Sequence, residues 1–114
     1  MNKDFDIIAS QILGKCYANM TEPYLVDYGM ISFELFETLD RDKEARHITG
    51  WLLREAFIRQ IGKNNKNHPF ISVELTLKGR KLIESSDQKA ELEKAIKMGS
   101  IQVIATIIGG LLSS

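Results

Sequence analysis

The sequence predicts a mainly helical protein with one small β-hairpin and a helical tail. Three observations predict it. Apolar residues Phe5, Ile8, Ile12 and Cys16 recur at helical spacing near the N-terminus. The pattern changes between Phe57 and Leu75, where two short β-prone runs flank the polar loop Lys63-Asn64-Asn65-Lys66-Asn67-His68-Pro69. A last stretch, Ile101 to Leu112, is apolar on one side and uncharged on the other. With 114 residues, the chain is long enough for one domain with one core. The expected division is a domain over residues 1–86 and an amphipathic helical tail over 87–114.

The first helix is expected from Asp4 or Phe5 to Ala18 or Asn19. Ala9, Leu13 and Met20 run beside its apolar stripe. Asp4 and Asp6 favour the positive end of its dipole and Lys15 the negative end. Cys16 lies on the stripe with no cationic group near it in sequence, so it reads as a packed thiol rather than a nucleophile. Pro23 ends this region. Tyr24 to Gly29 is strand-like and forms either a short strand or a loop; Tyr24 and Tyr28 form either a binding patch or, as the leading reading, half-buried packing under the hairpin. Ser32 is the expected N-cap of a short second helix, with Phe33, Phe36 and Leu39 towards the core. Asp40 is the expected N-cap of the third.

The third helix is expected over about residues 41–56. At about 100° per residue, Ala45, Ile48, Leu52 and Ala56 form one stripe, with Trp51 to one side. The opposite arc carries Lys43, Arg46, His47, Gly50 and Arg54 and no carboxylate. A strand from Phe57 to Gly62 follows, then the loop, then a return strand from Phe70 to Leu75. In the return strand Ile71, Val73 and Leu75 alternate with polar residues, so one face is buried. Thr76 is the expected cap of a fourth helix ending near Ser85 or Ser86.

Two phrases, WLLREAFI (Trp51–Ile58) and VELTLKGRKLI (Val73–Ile83), resemble the winged helix-turn-helix family. The second is similar to the wing exit of MarR- and PadR-type regulators: an apolar residue, Leu-Thr, two residues, Gly, then Leu. The resemblance covers roughly residues 5 to 85. It implies a recognition helix at about 41–56, a wing at about 57–75, and double-stranded DNA as partner. Gly79 takes the place of the family's wing-exit glycine, where close helix packing is its expected role.

Charge supports that expectation. Residues 1–40 hold two bases against seven acids, a net of −5, whereas residues 41–81 hold ten bases against four acids, a net of +6. The basic segment is the one that resembles a DNA reader. On the recognition helix Arg can meet guanine O6 and N7, Lys a phosphate, and Gly50 permits close approach. Arg59, Lys63 and Lys66 would grip phosphates, and His68 is expected to be solvated.

Asp87 to Met98 is expected to be helical and to stop at Gly99-Ser100. Ile101, Ile104, Ile107, Ile108, Leu111 and Leu112, with Val103, form the apolar side of the final helix. That side can pack back on its own domain, pair with a second subunit, or meet a partner's groove or a membrane surface. Pairing as a homodimer leads, because two-fold DNA readers commonly dimerise through a helix outside the reading head. The segment is short for a bilayer span, which needs about 20 residues. No signal peptide is evident and a cytoplasmic location is expected. The single cysteine excludes an intrachain disulfide and the usual structural zinc sites. No phosphate loop, HExxH pattern or nucleophile phrase points to an enzyme, and no cofactor is expected. A homodimeric transcriptional regulator is the leading expectation. The alternative is a non-enzymatic adaptor whose acidic N-terminal face or apolar tail meets a partner.

Overall fold

The computed structural model describes residues 3–63 and 68–113. Among these, the chain forms α1 (Lys3–Ala18), β1 (Tyr24–Asp27), α2 (Tyr28–Phe36), α3 (Asp42–Arg54), β2 (Ile58–Gln60), β3 (Phe70–Leu75), α4 (Leu77–Glu84), α5 (Lys89–Met98) and α6 (Ile101–Ser113). The fold is mainly helical, with a small antiparallel sheet in the order β1-β3-β2.

α1 is the central element. Its stripe of Ile8, Ala9, Ile12, Leu13 and Cys16 is buried, and Phe5 meets Trp51 edge-on at 5.0 Å between ring centroids. The stretch after Pro23 is a strand. Tyr24 pairs with Val73, Leu25 with Ser72, Val26 with Ile71 and Asp27 with Phe70. It stops at Asp27 because that residue caps α2: Asp27 Oδ1 accepts from the Met30 N–H at 3.0 Å.

The second helix therefore begins before Ser32, which is not its cap. Ser32 lies inside α2, fully buried. Its Oγ donates to the Thr38 carbonyl and accepts from the Arg41 N–H, fixing the turn between α2 and α3. α2 ends as Glu37 enters the left-handed region at φ 59°, with its N–H on the Phe33 carbonyl at 2.9 Å. The buried stripe is then Tyr28, Ile31 and Ser32. Of the three residues expected to face the core only Phe36 packs against it; Phe33 is 56% exposed and Leu39 65%. The inner side of α2 is taken by Tyr28, Ile31 and Ser32, which leaves Phe33 outside it, and Leu39 leaves the helical spacing altogether because α2 ends at Phe36 and Glu37 turns left-handed.

α3 is preceded by Arg41, not capped by Asp40, and no side chain caps it. Arg41 instead bridges Glu44 and Asp4, with guanidinium–carboxylate distances of 2.7 Å to each. Ala45, Ile48, Thr49 and Leu52 face inward, and the buried Thr49 hydroxyl donates to the Ala45 carbonyl at 2.7 Å. The helix stops at Arg54, so Ala56 lies outside it and is exposed. The end is a Schellman turn: the Ala56 N–H reaches the Leu53 carbonyl at 3.1 Å and the Phe57 N–H the Leu52 carbonyl at 3.0 Å. Ala56 takes φ 62° to close it, a conformation glycine adopts without cost.

This turn delivers the chain into β2, shorter than the expected strand, where Ile58 pairs with Leu75, Arg59 with Glu74 and Gln60 with Val73. Ile71 and Val73 are buried, as their alternation requires. Thr76 caps α4, accepting from the Gly79 N–H at 3.0 Å, while its hydroxyl donates to the Ala56 carbonyl. The start of α4 is thus tied to the end of α3. A Cβ on Gly79 would stand 2.1 Å from the Phe57 carbonyl oxygen, so no side chain fits there.

The tail packs in cis. α6 lies lengthwise along α1: Ile104 Cγ2 comes within 3.5 Å of the Cβ position at Gly14, and Asp6 within 2.8 Å of that at Gly109. The two pairs place α6 antiparallel to α1. Leu92, Ala95, Ile104, Ile107 and Ile108 belong to the same buried cluster as Ile8, Ile12 and Ile83, so packing does not divide the chain at residue 86.

The junction at Ala56 and Gly79 yields opposite expectations for two single substitutions. Ala56→Gly is expected to raise stability by about 0.5–1 kcal/mol by relieving the left-handed alanine. Gly79→Ala is expected to cost about 3 kcal/mol, because the clash is with backbone. Urea denaturation of both variants beside the parent checks the signs.

Candidate nucleic-acid interface

α3 carries the candidate face. Its amphipathic sequence commits Ala45, Ile48 and Leu52 inward, which turns Lys43, His47 and Arg54 outward, where all three are exposed. Lys43 and His47 border a shallow recess with Phe5, Glu44 and Ile48. Arg54 folds back over Gly50: its Nη1 lies 3.2 Å from the position of a Cβ there. Arg46 is only half exposed, with its guanidinium 4.4 Å from the centroid of the Tyr28 ring. That stack holds the Arg46 charge beside α2 and is worth about 0.5–1 kcal/mol at a partly exposed site.

Tyr28, read from the sequence as half-buried packing or a binding patch, lies beneath this surface. It is buried, its ring supports Arg46, and its N–H donates to the Pro69 carbonyl at 3.2 Å. The base of the hairpin loop therefore meets the start of α2 beside the basic face of α3. No periodicity within α3 signals such a platform, because it depends on how α2 and α3 are placed against each other. Burial raises the Tyr28 hydroxyl pKa, and the Arg46 charge partly opposes the shift.

The remaining bases divide. Arg59 sits opposite Glu74 across the β2–β3 ladder, with Nε 2.5 Å from Oε1. Its charge is offset there, so it does not extend the positive surface in the way expected. Lys63 is exposed just beyond β2. Lys66, with Asn64, Asn65 and Asn67, lies outside the described residues. His68 is half-buried rather than solvated, edge-on to Phe70 at 4.6 Å. Near the start of α3 the carboxylates are partly matched. The Arg41 guanidinium beside Glu44 holds that carboxyl below its usual range, and Glu44 and Asp4 together raise the Arg41 pKa.

The tail residues expected to meet a second subunit or partner are occupied. Ile104, Ile107 and Ile108 are buried in the core, and Ile101, Leu111 and Leu112 pack against it. Pairing through this side would require α6 to leave α1. Among the described residues no helix is long and apolar enough to cross a membrane, and no group of three His, Cys, Asp or Glu side chains could hold a metal ion.

Cys16 lies in the core, and burial pushes its thiol up to about 12 from an ordinary 9.0. Tyr24 is likewise pushed up to about 12 from 10.0, by burial first and then by Glu34, Cys16 and Asp27. Above the ordinary values the unfolded chain loses protons that the native state retains. The stability these two groups contribute is therefore fully present below pH 9.0 and is lost as the pH rises towards about 12. Urea midpoints measured across that window are expected to fall with pH, and Cys16→Ala to flatten the early part of the decline. The thiol is also expected to react with a disulfide reagent only after denaturant is added.

No protein-family model, curated protein or solved structure matches this chain.

Proposed function

We propose that this chain is a winged helix-turn-helix protein that binds double-stranded DNA through the outward face of α3. In this reading α2 and α3 are the helix-turn-helix pair, α3 is the recognition helix, and β2, β3 and the loop between them are the wing. The element order, with a strand before α2 pairing to β3, supports it. The observation that carries the reading is the link from Arg46 through Tyr28 to Pro69, which brings the residue just before β3 beside the basic face. A reader that inserts a helix and grips flanking phosphates with a wing needs the two on one side.

Roles follow from chemistry. Arg54 can swing off Gly50 to meet guanine O6 and N7 in the major groove, and Gly50 leaves room for the groove edge. Lys43 and His47 suit phosphate or base-edge contacts, while Arg46, held on Tyr28, presents a fixed charge to the backbone. Lys63, and Lys66 in the loop, suit phosphates flanking the site. Arg59 contributes little, because Glu74 neutralises it. A role in transcription regulation and a cytoplasmic location go with this reading. Two-fold pairing would use surfaces other than the side of α6 that faces α1.

Fluorescence anisotropy with a random-sequence duplex over a salt series tests the proposal, comparing the parent with Lys43→Ala/Arg54→Ala and with Arg59→Ala. The parent is expected to bind at low salt and weaken steeply as salt rises. The slope of log affinity against log salt should shrink by about 0.9 for each phosphate contact removed. The double variant should bind at least tenfold more weakly, and Arg59→Ala close to the parent. Absence of binding at low salt, or a double variant that binds like the parent, would refute it.

A further inference from the structure

α2 presents a second surface that the DNA reading does not use. Met30 is 53% exposed and Phe33 56%, one helical turn apart on α2, and Leu39, in the turn that follows, is 65% exposed. Leu39 is drawn back over the same helix: its Cδ2 lies 3.9 Å from the Cβ position at Gly29. On α2, Met30 and Phe33 lie about 200° and 140° around the axis from Tyr28. The apolar surface therefore points away from the ring that carries Arg46.

Charge along this stretch of the chain has one sign. From Cys16 to Asp40 the chain contains no Lys or Arg, but five carboxylates: Glu22, Asp27, Glu34, Glu37 and Asp40. Asp27, Glu37 and Asp40 stand beside the apolar residues in the chain, and none forms an ion pair with a described residue. Arg41, the nearest base, is engaged by Asp4 and Glu44 and lies over the Phe36 ring at 4.0 Å. An apolar surface beside carboxylates that carry no neutralising base repels nucleic acid and anionic lipid alike.

The surface is also held in place. The buried Ser32 hydroxyl ties the turn to both Thr38 and Arg41, and Glu37 closes α2, so Leu39 has a fixed position relative to Met30 and Phe33. Such a preformed ridge suits a helix laid against it, and pre-organisation reduces the ordering cost of binding.

We propose that Met30, Phe33 and Leu39 form a docking surface for a partner protein's amphipathic helix carrying Lys or Arg beside its apolar stripe. The apolar stripe meets the three exposed side chains, and the bases meet Asp27, Glu37 and Asp40. The proposal stands apart from the DNA reading, since it uses the opposite side of α2.

The test uses the full chain and a fluorescein-labelled synthetic helix with leucines on one face and lysines on the other. A second peptide keeps the leucines and replaces each lysine with glutamate. Anisotropy is expected to show binding of the lysine peptide and none of the glutamate peptide. Phe33→Ser/Leu39→Ser, with an unchanged circular-dichroism melt, is expected to weaken binding at least tenfold. Leu77→Ser, at another exposed leucine on α4, should leave it unchanged, and both variants should keep the parent's affinity for duplex DNA. Absence of binding, equal binding of both peptides, or a double variant that binds like the parent would overturn the proposal. A parent dimer that the double variant dissociates in sedimentation equilibrium would also overturn it, by assigning the surface to a second copy.

Discussion

Burial of α1 on several sides is the constraint on which the rest of the structure depends. One helix supplies Ile8, Ile12, Leu13 and Cys16 to the shared core, and α6 runs antiparallel along it. The sheet, α2 and α3 close the core through Val26, Val73, Ile31, Ala45 and Leu52. Burying a large aliphatic side chain is worth about 1.5–3 kcal/mol, so a tail that covers three isoleucines contributes on the scale of a whole domain's net stability. The tail therefore completes the domain. The outward face of α3 is free to be polar because α1 has already taken its apolar side.

A second constraint sets the direction of the hairpin. Ala56, Phe57, Thr76 and Gly79 lock the exit of α3 to the entrance of α4 through two hydrogen bonds from Thr76 and one close approach at Gly79. Lys78 adds a bond from its amino group to the Glu55 carbonyl at 2.7 Å and lies over the Phe57 ring. Since β2 and β3 lie between these anchors, the hairpin leaves the body at a fixed place. Tyr28 and Pro69 secure its far end to α2. The proposed DNA surface thus rests on residues outside α3, among them Tyr28 beneath Arg46.

The charge map has a physical consequence for partners. The basic arc of α3 and the acidic, apolar outer side of α2 lie on different sides of one helical pair. Two other bases are paired internally, Arg41 with Asp4 and Glu44, and Arg59 with Glu74. A chain of zero formal charge can in this way present two surfaces of opposite character.

Much of this was legible in the sequence. Period and capping chemistry are local, so α1, the inner stripe of α3, the alternation of β3, the Thr76 cap and the breaks at Pro23 and Gly99 could be read from neighbours in the chain. The segregation of charge between residues 1–40 and 41–81 could be read in the same way. Ser32 and Asp40 are cap-forming residues that do not cap, because Asp27 starts α2 earlier and Ser32 is then used to bind the turn. With Tyr28, Ile31 and Ser32 on the inner side of α2 and the helix ended at Phe36, Phe33 and Leu39 lie at the surface instead of in the expected core. Sequence also showed that α6 needed cover for its apolar side, but which surface covers it is a matter of fit. Gly14 and Gly109 admit α6 against α1, and only the tertiary structure shows these contacts. The same holds for the bases: a lysine or arginine is equally charged in any sequence. Only the register that sets Arg59 opposite Glu74, and Arg46 over Tyr28, decides which charges remain to meet a partner.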